Sequence, residues 1–205
     1  QDLKSVYIDL NDINAYASYV NSIGGNIRLE VGEQDSLTYI AAEKLFMRGD
    51  NDGARRSLIN YLQTFPEGAF SSNANFYSGS IAFAKKEFDE AIQRFKSVIA
   101  SGDTKFLEES VARTAEIEYL SKDYPAALES FKRLQIVAEN PENRQAARLG
   151  IMRCALQTGQ QKDALLAADE LLKEPKLSPE LEAEARYVRA KAYIAQKQAN
   201  KALAD

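Results

Sequence analysis

The stretch Glu87-Phe88-Asp89-Glu90-Ala91, followed by Phe95, is the clearest copy of a pattern that recurs along the chain. In its first three copies a polar turn precedes an alanine, and Leu or Phe follows that alanine by four residues. The alanines that mark the register lie 37, 36, 37 and 38 residues apart and are Ala54, Ala91, Ala127, Ala164 and Ala202. Such a repeat is typical of stacked helical hairpins. The sequence therefore predicts an all-α solenoid of antiparallel helix hairpins.

The apolar residues of this pattern recur at helical spacing. After Glu87 they are Phe88, Ala91, Ile92, Phe95, Val98 and Ile99. This spacing places them on one face of a helix, and another helix must cover that face. Small residues at Ala42, Gly79 and Ala115 mark the points where the two helices of a hairpin cross, because a larger side chain would separate the backbones.

These residues resemble the tetratricopeptide repeat, whose unit has small residues at its eighth and twentieth positions and a bulky one at its twenty-fourth. Ala42, Ala54 and Leu58 match these positions in one unit. The resemblance implies a right-handed superhelix, with residues 1–34 as the end of a preceding partial repeat plus an extended connector. An array over residues 35–205 follows, with units near 35–71, 72–107, 108–144 and 145–182 and the start of a fifth at 183–205. Longer helices or loops would absorb the excess over the usual repeat of about 34 residues.

Residues 24–34 interrupt the helical pattern. Two adjacent glycines precede an alternating apolar and polar run at residues 27–31, which predicts the extended connector. One interpretation is a loop across the first hairpin that buries three apolar side chains, Ile27, Leu29 and Val31. The other is a strand that pairs with a partner chain.

The composition argues against several classes of function. The net charge of −4 argues against nucleic-acid binding, because phosphate contacts rely on clustered Lys and Arg. The longest uncharged stretch, residues 68–84, carries several Ser and Asn residues that a lipid-facing helix would not tolerate. The chain has no histidine, which removes the commonest general base and metal ligand. We therefore predict no catalytic, cofactor or metal site, and we expect the single Cys154 to be a buried apolar residue.

The resemblance to tetratricopeptide repeats implies that the first helix of each hairpin lines a concave groove for a protein or peptide. The candidate groove residues occupy the fifth, ninth and twelfth positions of the units and are Tyr39, Glu43, Phe46, Phe76, Ser80, Phe83, Glu116, Tyr119, Leu149, Arg153, Tyr187 and Lys191. Residues 1–140 carry 15 Lys and Arg against 21 Asp and Glu, whereas residues 141–205 carry 11 against 9. A groove with ends of opposite charge would orient a bound peptide.

Some of these residues have a second interpretation. The aromatic residues at the twelfth position, Phe46, Phe83 and Tyr119, can pack against a neighbouring hairpin instead of facing a ligand. Tyr39 and Phe76, at the fifth position, are the stronger candidates for anchoring a partner. The family's two-carboxylate clamp of Lys and Asn is missing, since no candidate is Asn and only Lys191 is Lys. The resemblance therefore does not imply capture of a peptide C-terminus.

Together these observations predict a non-catalytic scaffold that binds a protein or peptide, as a segment of a longer protein. The chain is most similar to long repeat proteins exported by Gram-negative bacteria, including lipoproteins that assist outer-membrane assembly and coordinators of envelope constriction. This resemblance implies a periplasmic or outer-membrane-associated location, with a cytoplasmic location as the alternative. Two other functions stay open: a homodimer through exposed terminal hairpins, and part of a glycan- or nutrient-binding surface protein.

Overall fold

The computed structural model describes residues 2–23, 28–197 and 199–202, and every regular element in these ranges is a helix. The helices are α1 Leu3–Leu10, α2 Ile13–Ser22, α3 Val31–Met47, α4 Asn51–Thr64, α5 Ser71–Ala84, α6 Phe88–Ser101, α7 Leu107–Leu120, α8 Tyr124–Val137, α9 Pro141–Gln157, α10 Gln161–Leu172, α11 Pro179–Ala195 and α12 Ala199–Ala202. Short loops join them, as expected for antiparallel neighbours. The prediction of an all-α fold built from helical hairpins is confirmed.

The helices form two compact units, Gln1–Phe106 and Leu107–Asp205. In the first unit α3 packs on α4, α4 on α5 and α5 on α6, while α1 and α2 pack against α3. In the second unit α7 packs on α8, α8 on α9, α9 on α10 and α10 on α11. Each unit is therefore a stack in which every helix covers the apolar face of the next.

The small residues of the repeat lie at close helix crossings. Ala54 and Ala91 have no exposed surface, and neither does Ala42. A Cβ atom built on Gly79 would lie 3.0 Å from the Cβ atom of Arg94 and 3.2 Å from the ring of Phe95, so the backbone of α5 lies directly against side chains of α6. Volume added at such a point separates the helices, because protein interiors are already close-packed.

One backbone feature repeats with the same register. The residue that ends the turn of each hairpin has a positive φ, between 60° and 81°, and these residues are Gly49, Lys86, Lys122, Gly159 and Lys197. Their spacings are the same 37, 36, 37 and 38 residues as those of the register alanines. In the first hairpin the N–H of Asp50 donates to the carbonyl of Leu45 at 3.0 Å, the long hydrogen bond of a Schellman C-cap. The hairpin turn is thus as regular as the helices it joins.

The connector differs from the prediction. Residues 24–27, and with them Ile27, lie outside the described residues. Leu29 is half-buried and packs against a cluster that contains Ile13 and Leu37, as expected. Val31 instead begins α3 and is 73% exposed, so the expected burial of its side chain is wrong. Glu33 lies in the first turn of α3, where a carboxylate interacts favourably with the helix dipole, and it also binds Lys4 at 2.6 Å.

Cys154 is buried in α9, as predicted. Burial raises the pKa of its thiol to about 11. A thiol with this pKa is protonated at neutral pH, and the reactive form of cysteine is the thiolate. Cys154 therefore contributes to packing in the second unit.

A buried polar cluster that the sequence analysis did not identify holds the loop before α5. The hydroxyl of Tyr61 donates to Asp35 at 2.5 Å, and the N–H of Ala69 donates to the second oxygen of Asp35 at 2.8 Å. The N–H of Phe70 donates to the Tyr61 hydroxyl at 3.0 Å. A Cβ atom on Gly68 would lie 2.4 Å from that hydroxyl, so only glycine fits there. The cluster ties α3, α4 and the loop together.

The second unit contains an equivalent clamp. Glu108 lies 73 residues after Asp35, which is two register steps. Its carboxylate accepts hydrogen bonds from the N–H groups of Glu139 and Asn140 at 2.9 and 3.1 Å and from the amide of Asn143 at 2.7 Å. In both units an acidic residue near the start of a first helix thus holds the loop that leads to the next first helix.

We predict that Tyr61→Phe destabilises the protein by about 1–3 kcal/mol, because it leaves one oxygen of Asp35 and the N–H of Phe70 buried without partners. Urea unfolding followed by circular dichroism measures the change. The matched control is Tyr19→Phe at an exposed position of α2, which should change stability by less than about 0.5 kcal/mol. Equal effects of the two substitutions would contradict the role of the cluster.

Candidate functional site

A pocket of about 360 Å³ opens in the second unit between α7 and α9. Its walls contain Glu116 and Tyr119 from α7 and Leu149 and Arg153 from α9. Four of the candidate groove residues are thus brought together in one place. The two walls are the first helices of consecutive hairpins, and the helix between them in sequence, α8, forms the floor.

The floor of the pocket is apolar and firmly packed. Phe131 and Leu134 of α8 form it, and both are buried. A Cβ atom on Gly150 of α9 would lie 2.4 Å from the ring of Phe131, so the ring lies directly against the helix backbone. Glycine at this position is what allows the ring to lie so close to α9. The sequence analysis did not single out Gly150, because no turn or register mark accompanies it.

The rim of the pocket on α7 is charged. Arg113 donates from Nε to Glu109 at 2.8 Å and from its terminal nitrogen to Glu116 at 2.9 Å. The three residues are three and four positions apart, which places their side chains on one face of the helix. These ion pairs hold both carboxylates beside the apolar floor.

The opposite wall contains a second arginine in a rigid arrangement. Arg153 donates from Nε and a terminal nitrogen to the two oxygens of Glu184 on α11, both at 2.7 Å. This forked geometry is the strongest that an arginine and a carboxylate form. The hydrogen bond to Glu184 raises the pKa of Arg153, and a hydrogen bond to Tyr119 acts in the same direction. Arg153 is therefore a fixed, charged part of the wall.

Glu108 fixes the end of the pocket where both wall helices begin. It lies on α7, while its partner Asn143 lines the pocket from α9. Partial burial opposes ionisation of Glu108, but hydrogen bonds from Glu139, Asn143 and Asn140 outweigh it and lower the pKa of the carboxyl. The ionised carboxylate thus holds the start of α9 beside α7.

We predict that this clamp is lost in acid. A pKa that is lower in the folded than in the unfolded protein adds stability above the unfolded value, and that stability disappears as the pH falls through the folded value. Between pH 7 and about pH 3.5 the urea concentration at the midpoint of unfolding should therefore fall further for the wild-type protein than for Glu108→Gln, because the variant has no carboxyl group to titrate at this position. Glu129→Gln, at an exposed carboxylate of α8, is the control and should behave like the wild type. Equal losses in Glu108→Gln and wild type would contradict the assignment.

Tyr39, a candidate residue of the first unit, is internal. Tyr39 is only 2% exposed, and its ring stacks on Phe70 with centroids 4.5 Å apart. Its hydroxyl donates to Glu43 at 2.5 Å and accepts from Asn73 at 3.2 Å. Burial raises the pKa of Tyr39, which stays a neutral hydrogen-bonding core residue. The expectation that Tyr39 anchors a partner is therefore corrected: its ring is covered by the loop before α5.

Phe76 is half-buried and largely occupied by contacts within its own unit. Its ring stacks on Phe106 at 4.2 Å and meets Phe95 edge-on at 6.1 Å. The other candidates on α3 and α5 also have internal partners. Phe46 packs on Tyr77, Phe83 on Phe88, and the Ser80 hydroxyl donates to the carbonyl of Phe76. The core interpretation thus describes these aromatic rings better than the groove interpretation.

The candidates on α11 remain accessible. Tyr187 is 58% exposed, and the ammonium group of Lys191 lies 5.4 Å from the centre of its ring. A cation over an aromatic face is mutually attractive. Because Glu184 on the same helix binds Arg153, this surface adjoins the α9 wall of the pocket.

A second pocket, of about 270 Å³, lies in the first unit where the α1–α2 corner meets α3 and α4. Apart from Ile13 its lining is polar and consists of Asn11, Asp12, Asn14, Gln34, Thr38, Arg56, Ser57, Asn60 and Thr64. Several of these groups bind one another, for example Asn11 and Ser57 at 2.6 Å. The lining of this pocket has no aromatic ring on which a sugar could stack.

Two properties of the described residues bear on other classes of function. No helix in these ranges is long and apolar enough to span a bilayer. Within the same ranges no group of three or more Cys, Asp or Glu side chains is arranged to hold a metal ion.

No protein-family model matches the sequence, and no curated protein matches it. Solved structures do show the same fold. YrrB is 18% identical over 82% of this chain and 80% of its own, with a TM-score of 0.61. MamA is 16% identical over 84% of this chain and 88% of its own, with a TM-score of 0.58. A tetratricopeptide repeat protein from Parabacteroides merdae ATCC 43184 is 14% identical over 98% of this chain and 73% of its own, with a TM-score of 0.52.

Proposed function

We propose that this protein, which has the fold of tetratricopeptide repeat proteins, is a non-catalytic scaffold that binds a segment of a partner protein between α7 and α9. The observation that carries the proposal is the pocket itself, in which a buried apolar floor meets a charged rim. Apolar pockets with a few fixed polar groups are the usual form of a binding site. An apolar side chain of a partner would lose its contact with water on this floor, and that desolvation favours binding.

The chemistry of the pocket supports binding rather than catalysis. The chain has no histidine to act as a general base or nucleophile partner. The charged side chains at the rim, Glu109, Arg113 and Glu116, hold one another in ion pairs. YrrB, one of the proteins with the same fold, is a TPR protein with an unusual peptide-binding site. Binding of a peptide by the present chain agrees with that precedent.

We predict that Ala146→Trp abolishes peptide binding by filling the pocket from its rim. Ala146 is an exposed residue of α9 that lines the pocket, so the indole can be accommodated without disturbing the core. Peptides are first selected on the wild-type chain from a displayed library of random 12-residue sequences. Their affinities are then measured by fluorescence polarisation and should fall at least tenfold in the variant.

The matched control for this experiment is Ala100→Trp, at an exposed helical position of α6 in the other unit. It should bind the selected peptides like the wild type. Selection of no peptide, or equal binding by the Ala146→Trp chain, would refute the proposed site.

We also propose that the scaffold acts in assembly or organisation of the cell envelope, in the periplasm or at the outer membrane. The support is the sequence resemblance to exported repeat proteins of Gram-negative bacteria. Fractionation of cells of the native host, with detection by an antibody against this chain, tests the location. Recovery with the cytoplasmic fraction alone would contradict it.

Self-association is the second candidate function. It is favoured by an exposed apolar face on α1, where Leu3, Val6 and Leu10 are 44%, 37% and 67% exposed. Exposed clusters of this kind are common at protein interfaces. Light scattering of the wild-type chain and of Val6→Ser/Leu10→Ser distinguishes this candidate, since only a dimer held by α1 would dissociate in the variant.

A further inference from the structure

We infer that the segment bound between α7 and α9 carries a basic side chain within one helical turn of its apolar anchor. The inference rests on the proposed function and adds the chemical class of the ligand. It follows from the ion pairs around the pocket, taken together with the position and size of the apolar floor.

The α7 rim has more hydrogen-bond acceptors than donors. Arg113 stands between Glu109 and Glu116 and gives each carboxylate one hydrogen bond. A carboxylate accepts about four hydrogen bonds, so both keep acceptor capacity. The side chains of Glu109 and Glu116 are 42% and 46% exposed, which leaves that capacity accessible. A ligand that brings donors complements this rim.

Arg153, on the opposite wall of the pocket, does not offset the excess of acceptors on the α7 rim. Arg153 directs Nε and one terminal nitrogen to Glu184, so its charge is already matched by a carboxylate. The ion pairs on the α7 rim contain two carboxylates, Glu109 and Glu116, against one guanidinium group, and the Arg153–Glu184 pair on the opposite side is neutral. The net charge of −1 on the rim attracts a cation and disfavours an anionic ligand.

The apolar floor sets where the cation must lie. A volume of about 360 Å³ is at the low end for binding pockets, which suits a single apolar side chain and its neighbouring backbone. Ala112 lines the apolar part of the α7 wall, and Glu116 follows it by four residues, which is about 6 Å along the helix. A lysine or arginine close to the anchor residue in the ligand spans this distance. The geometry thus points to a basic-apolar motif.

The experiment uses a displayed library of 12-residue peptides in which leucine is fixed at the sixth position and all other positions are random. Selection is carried out on the full wild-type chain and on Glu109→Gln/Glu116→Gln. Deep sequencing then compares Lys plus Arg with Asp plus Glu at the positions around the leucine. For the most enriched sequence, synthetic peptides with Lys, Gln or Glu at the basic position are measured by fluorescence polarisation.

The wild-type chain should prefer the Lys peptide to the Gln peptide by about two- to fivefold, as exposed ion pairs do, and the preference should shrink at high salt. Glu109→Gln/Glu116→Gln should bind the Lys peptide and the Gln peptide with equal affinity. Glu129→Gln, which removes a carboxylate from the exposed surface of α8, should keep the preference.

The outcomes separate the two proposals. Peptides that bind without a preference for Lys or Arg, or that prefer Asp and Glu, overturn the inference and leave the binding site intact. A preference that survives in Glu109→Gln/Glu116→Gln also overturns it. If no selected peptide is sensitive to Ala146→Trp, the proposed function fails and the inference fails with it.

Discussion

Close packing of neighbouring helices at small residues is the constraint on which the rest of this structure depends. Two helices can approach this far only where the side chain between them is no larger than a methyl group. The register alanines meet this condition once per hairpin, and Ala54, Ala91, Ala127 and Ala164 are all completely buried. In the second unit the first helices α7 and α9 lie side by side, as do α9 and α11. The candidate pocket is the space that remains between two of them, α7 and α9.

The same constraint explains how far the sequence predicts the fold. A contact that recurs at fixed spacing requires the same residue types at that spacing in the sequence. The hairpins and the small residues at their crossings could therefore be predicted from the alanines and bulky residues alone. The hydrogen bonds of Asp35 and Glu108 correspond to no such repeat in the sequence. Each joins atoms about 26 to 35 residues apart through one carboxylate, and nothing in a local pattern distinguishes these acids from solvated ones. The sequence therefore predicts the helices, but it does not predict the polar contacts that position the loops.

The candidate site was predicted less completely, for a related reason. Register identifies the face of a helix but not what covers that face. Tyr39 and Leu149 occupy the same position in their units, yet the first lies beneath Phe70 and the second lines an open pocket. The difference arises in the following loop, which places an aromatic ring over α3 in one unit. Glu116, Tyr119, Leu149 and Arg153 instead line one pocket.

Charge shows most clearly why local pairing must be known before a ligand is inferred. The count of charges along the sequence suggests an acidic first part and a basic second part, and it would assign Arg153 to a basic end of the groove. In the structure Glu184 binds Arg153 through both of its oxygens, and Lys191 lies over the ring of Tyr187. The α7 rim of the pocket therefore carries two carboxylates against one guanidinium group, although basic residues outnumber acidic ones in residues 141–205. At this site two partly exposed carboxylates share the single guanidinium group of Arg113, whereas Arg153 has a carboxylate of its own in Glu184.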